Sequence, residues 1–222
     1  MELYYFPPSS RALGVVALLN ELELECVRQP VDLGRGDQRT DRYTALNPNQ
    51  KIPTLKDGDA VIWESNAILF YLASKRPERG LWPRAMKDQA DVMRWLFWQS
   101  AHWDAESLGM VAFERASKMV LGLGEADAAF VARGEANFLR FATVLDAHLR
   151  GRAWVAGEAL TIADFSIGAL APTARNFALP IDRFPEIGRW YAALSARPSW
   201  RGALLAKDEA MAAWLAARAA HS

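Results

Sequence analysis

Glu64 and Ser65 stand between an apolar strand and an apolar helix in the stretch "NPNQKIPTLKDGDAVIWESNAILFYLASK", Asn47 to Lys75. Either residue can cap the helix, and the free N–H groups and dipole at a helix start attract an anion. A carboxylate at the same place can receive an ammonium. The pair could therefore hold a zwitterionic amino-acid end, its carboxylate on the helix and its amine on Glu64; the plainer alternative is an ordinary N-cap. Ile52-Pro53 is an X-Pro step at the head of a strand, where a cis bond costs only about 0.5–1 kcal/mol. A cis turn would leave the N–H and C=O of Ile52 free to pair with a bound peptide, as an added strand does. A plain loop-to-strand start also accommodates proline. Ser9 and Ser10 follow an aromatic strand and offer a third polar point, an N-cap ahead of an apolar helix. The hydrolase pattern GxSxG is absent, which argues against serine as an acyl-transfer nucleophile.

The elements that must position these residues follow from periodicity. "ELYYF" reads as a strand and Arg11 to Asn20 as a helix apolar on most sides, hence buried. "LECVRQPVDL" reads as a second strand, parallel to the first if the helix crosses over. "GRGDQRTDRY" is a polar loop, with a short helix following to Leu46. "IPTLKDGDAVIW" is a hairpin around Asp57-Gly58, and "ESNAILFYLASK" is a helix. "KRPERGLWPR" reads as a linker, after which strand patterns stop. Helices are predicted over 88–121, 126–149, 162–176, 185–196 and 208–219. The pattern predicts an α/β domain over 1–76, a linker over 77–87 and an all-α domain over 88–222.

Composition limits the functions open to the chain. Its 222 residues allow a sizeable core, and 26 basic residues balance 26 acidic ones, so nothing favours nucleic acid or an anionic membrane. No run of 18 apolar residues suits a membrane span, and no basic-then-apolar start suggests a signal peptide. Cys26 stands alone, which excludes an internal disulfide and points to a reducing compartment. Its alternating surroundings read as core packing, and it lacks a C-x-x-C partner. His102, His148 and His221 lack metal-ligand spacing, so no metal is expected.

The combination "NPNQKIPTL…WESNAILFYLA" resembles the glutathione-binding half of the glutathione S-transferase superfamily. The resemblance implies a thioredoxin-like N-terminal domain that binds glutathione as co-substrate, with a cis bond before Pro53. It further implies that Ile52 pairs with the cysteinyl backbone and that Glu64 and Ser65 hold the γ-glutamyl end. "LYYFPPS" is similar to the start of the serine-type classes and puts Ser9 at the catalytic place. "GDQR…NPNQKIP" is similar to the plant phi-type loop and places Gln38, Arg39 and Lys51 near the glycyl carboxylate. "GEALTIADFSI" matches the capping box of the family's helical domain, with Thr161 and Asp164 as the reciprocal pair. The family often has proline or asparagine after the serine and a basic residue about four positions on; here Ser10-Arg11 follow at once. Ser10 is therefore the alternative thiol activator, and the transferase class stays open between phi-like, theta-like and bacterial-like forms.

The implied chemistry is attack of a bound thiolate on a small hydrophobic electrophile, a detoxification reaction. A free thiol has a pKa of about 8.5, and lowering it by about two units needs roughly 2.7 kcal/mol of preference for the thiolate. A charge-assisted hydrogen bond supplies about 1.5–3 kcal/mol and a helix N-terminus about 0.3–1 kcal/mol. A donating serine hydroxyl would suffice without a base, unlike a serine hydrolase. The family's layout makes Trp103 the first expectation for the electrophile wall, then Met110 and Phe113, while Trp214 either closes the pocket or packs. A cytoplasmic homodimer is implied. A glutathione-dependent disulfide or peroxide reductase, or a non-catalytic binding protein, are the alternatives.

Overall fold

A computed structural model describes residues 1–219. The first half runs β1 (Glu2–Tyr5), α1 (Ser10–Glu21), β2 (Val27–Pro30), α2 (Asp41–Thr44), β3 (Thr54–Asp57), β4 (Ala60–Trp63) and α3 (Ser65–Ser74). The strands form one sheet in the order β2-β1-β3-β4. β1 and β2 are parallel, because α1 crosses over between them, while β3 runs antiparallel to β1 and β4. Leu3 and Leu55 pair across β1 and β3 and are both fully buried. Against them pack Leu13, Leu18, Ile68, Leu69 and Leu72 from α1 and α3.

The rest is helical: α4 (Met86–Trp98), α5 (Gly109–Ala112), α6 (Lys118–Val120), α7 (Ala128–Leu149), α8 (Ile162–Gly168), α9 (Ala171–Asn176), α10 (Pro185–Ser195) and α11 (Pro198–Ala219). This bears out the expected fold class, an α/β unit joined to an all-helical one. α1 is buried on most sides because α8 and α11 cover the face that the sheet leaves open. Gly14 is what lets α8 approach: a Cβ there would lie 2.5 Å from the Phe165 carbonyl oxygen.

Several expectations are corrected. The helix predicted over 88–121 is interrupted by π-helical stretches at Gln99–Leu108 and Phe113–Ser117. The single helix expected over 162–176 breaks between α8 and α9. Pro172 is the cause: in a continuous helix its ring would meet the carbonyl four residues back, at Gly168. α11 starts ten residues early, at Pro198, a residue suited to a first turn, and buries Trp200, Ala203 and Lys207 along one stripe. Only Val27–Pro30 of the second predicted strand pairs with β1.

α8 begins at the expected capping box. The Thr161 side chain accepts the Ala163 N–H, and Asp164 accepts the Thr161 N–H at 2.9 Å. Asp164, fully buried, also accepts from Val155 N–H at 2.9 Å and Trp190 Nε1 at 2.8 Å. Burial pushes its carboxyl up to about 6, against donors that favour the charged form.

Candidate active site

Strand register brings the candidate residues to one end of the sheet. Tyr4 lies opposite Thr54, Thr54 opposite Trp63, and Tyr5 beside Pro30. The segments that continue from this end are Phe6–Ser9 after β1, Val31 to Arg39 after β2, Lys51–Pro53 before β3, and Glu64–Ser65 after β4. Open α/β sheets bind ligands at the carboxyl ends of their parallel strands, and this is that end of β1 and β2.

Ser9 is the N-cap of α1. Its backbone N–H donates to the Phe6 carbonyl at 2.9 Å, and its Oγ accepts the Ala12 N–H at a long 3.5 Å. Among the described residues nothing accepts the Ser9 O–H, so that proton is available to a ligand. Ser10 differs: its Oγ lies 3.0 Å from Thr173 Oγ1 on α9, which points it into the helical half.

The Ile52–Pro53 bond is cis. Among the described residues neither backbone group of Ile52 has a partner. The turn is held from below. Tyr43 Oη donates to the Lys51 carbonyl at 2.6 Å, and Asn47 Nδ2 donates to the same oxygen at 2.8 Å. Both side chains also reach Thr54 Oγ1. Tyr43 and Asn47 therefore position the loop, a role the sequence reading did not assign to them.

Glu64 adopts φ 71° and ψ 117°, a conformation costly for a residue with a Cβ. It precedes α3 without capping it through its side chain, which is exposed. The N–H groups of Ser65, Asn66 and Ala67 have no acceptor among the described residues. A carboxylate and an uncapped helix start thus face solvent side by side. Gln38 is 4% exposed, and its Oε1 is buried without a partner. Arg39 and Lys51 are exposed, and neither forms an ion pair among the described residues.

The helical half is tied to this end by polar contacts. Arg11 donates to both carboxylate oxygens of Asp104, at 2.6 and 2.5 Å. Gly109 makes room for that pair, since a Cβ there would sit 1.9 Å from Asp104 Oδ1. Asn66 donates to the Leu96 carbonyl, Gln99 Oε1 and Ser100 Oγ, and accepts from Ser166 Oγ at 2.6 Å.

Residues 1–74 match the family model "Glutathione S-transferase, N-terminal domain", and residues 95–198 match "Glutathione S-transferase, C-terminal domain". The chain belongs to the glutathione S-transferase family. Glutathione S-transferase 3 of Zea mays is 34% identical over 207 residues, covering 90% of this chain and 91% of its own. Glutathione S-transferase D7 of Drosophila melanogaster is 32% identical, covering 90% and 87%. The crystal structure of the glutathione transferase URE2P5 from Phanerochaete chrysosporium superposes with a TM-score of 0.87 at 30% identity, covering 96% of each chain. A transferase family member from Pseudomonas fluorescens pf-5, solved with two glutathione bound, superposes at 0.80 with 29% identity and 91% of each chain. These relatives make the chain a glutathione S-transferase enzyme.

Not every expected residue of the transferase lines the cleft. Trp103, expected to form the electrophile wall, is 1% exposed. Its ring stacks on Trp98 at 5.8 Å and lies against Phe138 at 5.6 Å. A ring so enclosed is core and offers no face to a substrate. Met110 is half-buried and faces Gly134 of α7; Phe113 is 40% exposed. Among the described residues no cluster of His, Cys, Asp and Glu could hold a metal, and no helix is long and apolar enough to cross a membrane.

Proposed function

We propose that this transferase binds glutathione across the end of the sheet and conjugates its thiolate to a small hydrophobic electrophile. The observation that carries the reading is Ser9, whose hydroxyl accepts a helix N–H while its own proton is left without an acceptor. A hydroxyl so arranged donates to a sulfur placed above the start of α1, and the helix dipole favours the anion there. Ser10, bonded to Thr173, is the less suitable activator.

The remaining contacts follow from the free groups. The α-carboxylate of the γ-glutamyl end would take the unpaired N–H groups at the start of α3, and its amine the Glu64 carboxylate. Ile52 would pair with the cysteinyl backbone. Arg39 and Lys51 would take the glycyl carboxylate, with Gln38 donating its side-chain amide N–H. Glutathione in the related Pseudomonas fluorescens structure supports this ligand. The electrophile would enter from the helical side, where Met110 and Phe113 are the expected contacts. We assign the glutathione-binding unit to residues 1–76, a linker to 77–87 and the electrophile-binding unit to 88–222. A single half-buried Cys26 suits a reducing, cytoplasmic setting.

Glu64→Gln tests the glutamyl end. Removing the charge beneath an ammonium should weaken glutathione binding by about 10-fold or more, since charge-assisted bonds contribute about 1.5–3 kcal/mol. Calorimetry would read this directly, and unchanged affinity would remove Glu64 from the site.

Trp63, Phe70, Met93 and Phe97 are exposed on β4, α3 and α4. Exposed apolar side chains on these three elements fit the homodimer expected of the family. Sedimentation at micromolar concentration should give twice the monomer mass, and a monomer would contradict the dimer.

A further inference from the structure

Trp214 of α11 touches two of the segments that form the proposed glutathione groove. Its Nε1 donates to Asp32 Oδ1 at 3.2 Å, and its ring meets Phe6 edge to face at 5.5 Å. Phe6 carries the carbonyl that accepts the Ser9 N–H. Asp32 is the hub of the loop that leads to Gln38 and Arg39. The same Oδ1 accepts the Gly34 N–H at 2.8 Å and the Arg35 N–H at 3.3 Å. The Asp32 backbone N–H donates to Asp37 Oδ2 at 2.9 Å, and its carbonyl accepts the Asp37 N–H at 3.1 Å.

This loop lies at the sheet end, and its internal bonds are short-range turns. Its base is tied to β1 by the Val31 N–H, which donates to the Tyr5 carbonyl at 2.8 Å, and by Val31 and Leu33 packed around Tyr4. The Trp214 indole adds a second hold from outside, at Asp32. Arg218, one turn further along α11, stacks on the indole at 4.8 Å, and its guanidinium lies beside Gly34. A Cβ at Gly34 would come within 3.2 Å of the Trp214 ring, so the glycine permits the close approach. The last turns of α11 therefore rest on the loop itself.

We infer that Trp214 is a positioning residue for glutathione's glycyl end: through Asp32 it fixes the Asp32–Arg39 loop, and with it Gln38 and Arg39, relative to the Ser9 turn. The helical half then contributes to recognition of the tripeptide as well as to the electrophile side. The inference rests on the assignment of the glycyl carboxylate to Gln38 and Arg39. Its consequence is selective. A ligand with a glycyl carboxylate should depend on Trp214, and one without it should not.

The experiment compares glutathione with γ-glutamylcysteine, which lacks the glycine, by calorimetry on the wild type and on Trp214→Phe. Phenylalanine keeps a ring against Phe6 and loses the N–H to Asp32. Glutathione affinity should fall by about 3–10-fold, the net value of an ordinary hydrogen bond, while γ-glutamylcysteine affinity should change by less than about 2-fold. In turnover, the KM for glutathione should rise with kcat nearly constant, since the Ser9 turn is retained. Trp214→Leu, which also lacks the indole N–H, should reproduce the selective loss if Trp214→Phe folds poorly. Leu215→Ala, at an exposed neighbour on the same helix, should leave both affinities unchanged. Equal losses for both ligands in Trp214→Phe and Trp214→Leu would show general loosening and overturn the inference. A wild type that prefers glutathione, with the preference kept in both variants, would overturn it alone. A wild type with no preference would overturn the Gln38–Arg39 assignment together with it.

Discussion

Ser9→Ala should shift the pH profile of kcat/KM upward by about one to two units. A lost charge-assisted hydrogen bond to the thiolate costs about 1.5–3 kcal/mol, and one unit corresponds to 1.36 kcal/mol. Well below both pKa values, the thiolate fraction falls by about 10–100-fold. Part of this returns, because a more basic thiolate is a better nucleophile, with a Brønsted slope of about 0.4–0.5. The net loss of rate in acid should therefore be roughly 3–16-fold. In alkali, where both forms are ionised, the variant should equal or exceed the wild type. Glutathione affinity should change little, because the glutamyl and glycyl contacts remain. Ser10→Ala is the control. It removes one bond to Thr173, which should cost about 1 kcal/mol of stability without moving the pH profile. A profile that shifts in Ser10→Ala and not in Ser9→Ala would transfer the role to Ser10.

Asp164→Ala should cause a large loss of stability with the proposed chemical groups left in place. Its carboxylate accepts from Val155, Thr161 and Trp190, and all of these contacts are buried. Truncation leaves those donors without partners and uncaps α8. A loss of about 3–5 kcal/mol is expected, which lowers Tm by roughly 6–20 °C at this chain length. The pH dependence has a definite sign. Burial raises the folded-state carboxyl to about 6, above its unfolded value, so the folded state binds the proton more tightly. The resulting stability is fully present only below the unfolded carboxyl value of 3.8 and is lost as pH rises through about 6. Denaturation of wild type and variant at both ends of that window should show a wider gap in acid. A narrower gap in acid would mean that the hydrogen-bond donors, not burial, dominate the carboxyl.

What could be read from the sequence was local. The hairpin around Asp57-Gly58, the Glu64-Ser65 helix start and the Thr161–Asp164 box each fit within a few residues. The hairpin and the box are set by turn chemistry and capping, and the helix start falls at Ser65 although no side chain caps it. The contacts between halves were not legible. Arg11 and Asp104 are 93 positions apart, and Asn66 and Ser166 are 100 apart; no periodicity records such a pairing. Trp103 was expected at the electrophile wall from the family's layout alone, which does not record the packing of its ring against Trp98 and Phe138. Trp214 could be seen as a candidate but not assigned, because its partners, Phe6 and Asp32, lie at the far end of the chain.

The central claim is that a glutathione thiol placed above Ser9 and the start of α1 is held as a thiolate at neutral pH. Ultraviolet titration of the thiolate in the wild-type complex with glutathione tests it most directly. The bound thiol should titrate about two units below its free value of roughly 8.5, and Ser9→Ala should return it most of the way. Saturable binding with a thiol that titrates at its free value would contradict the account.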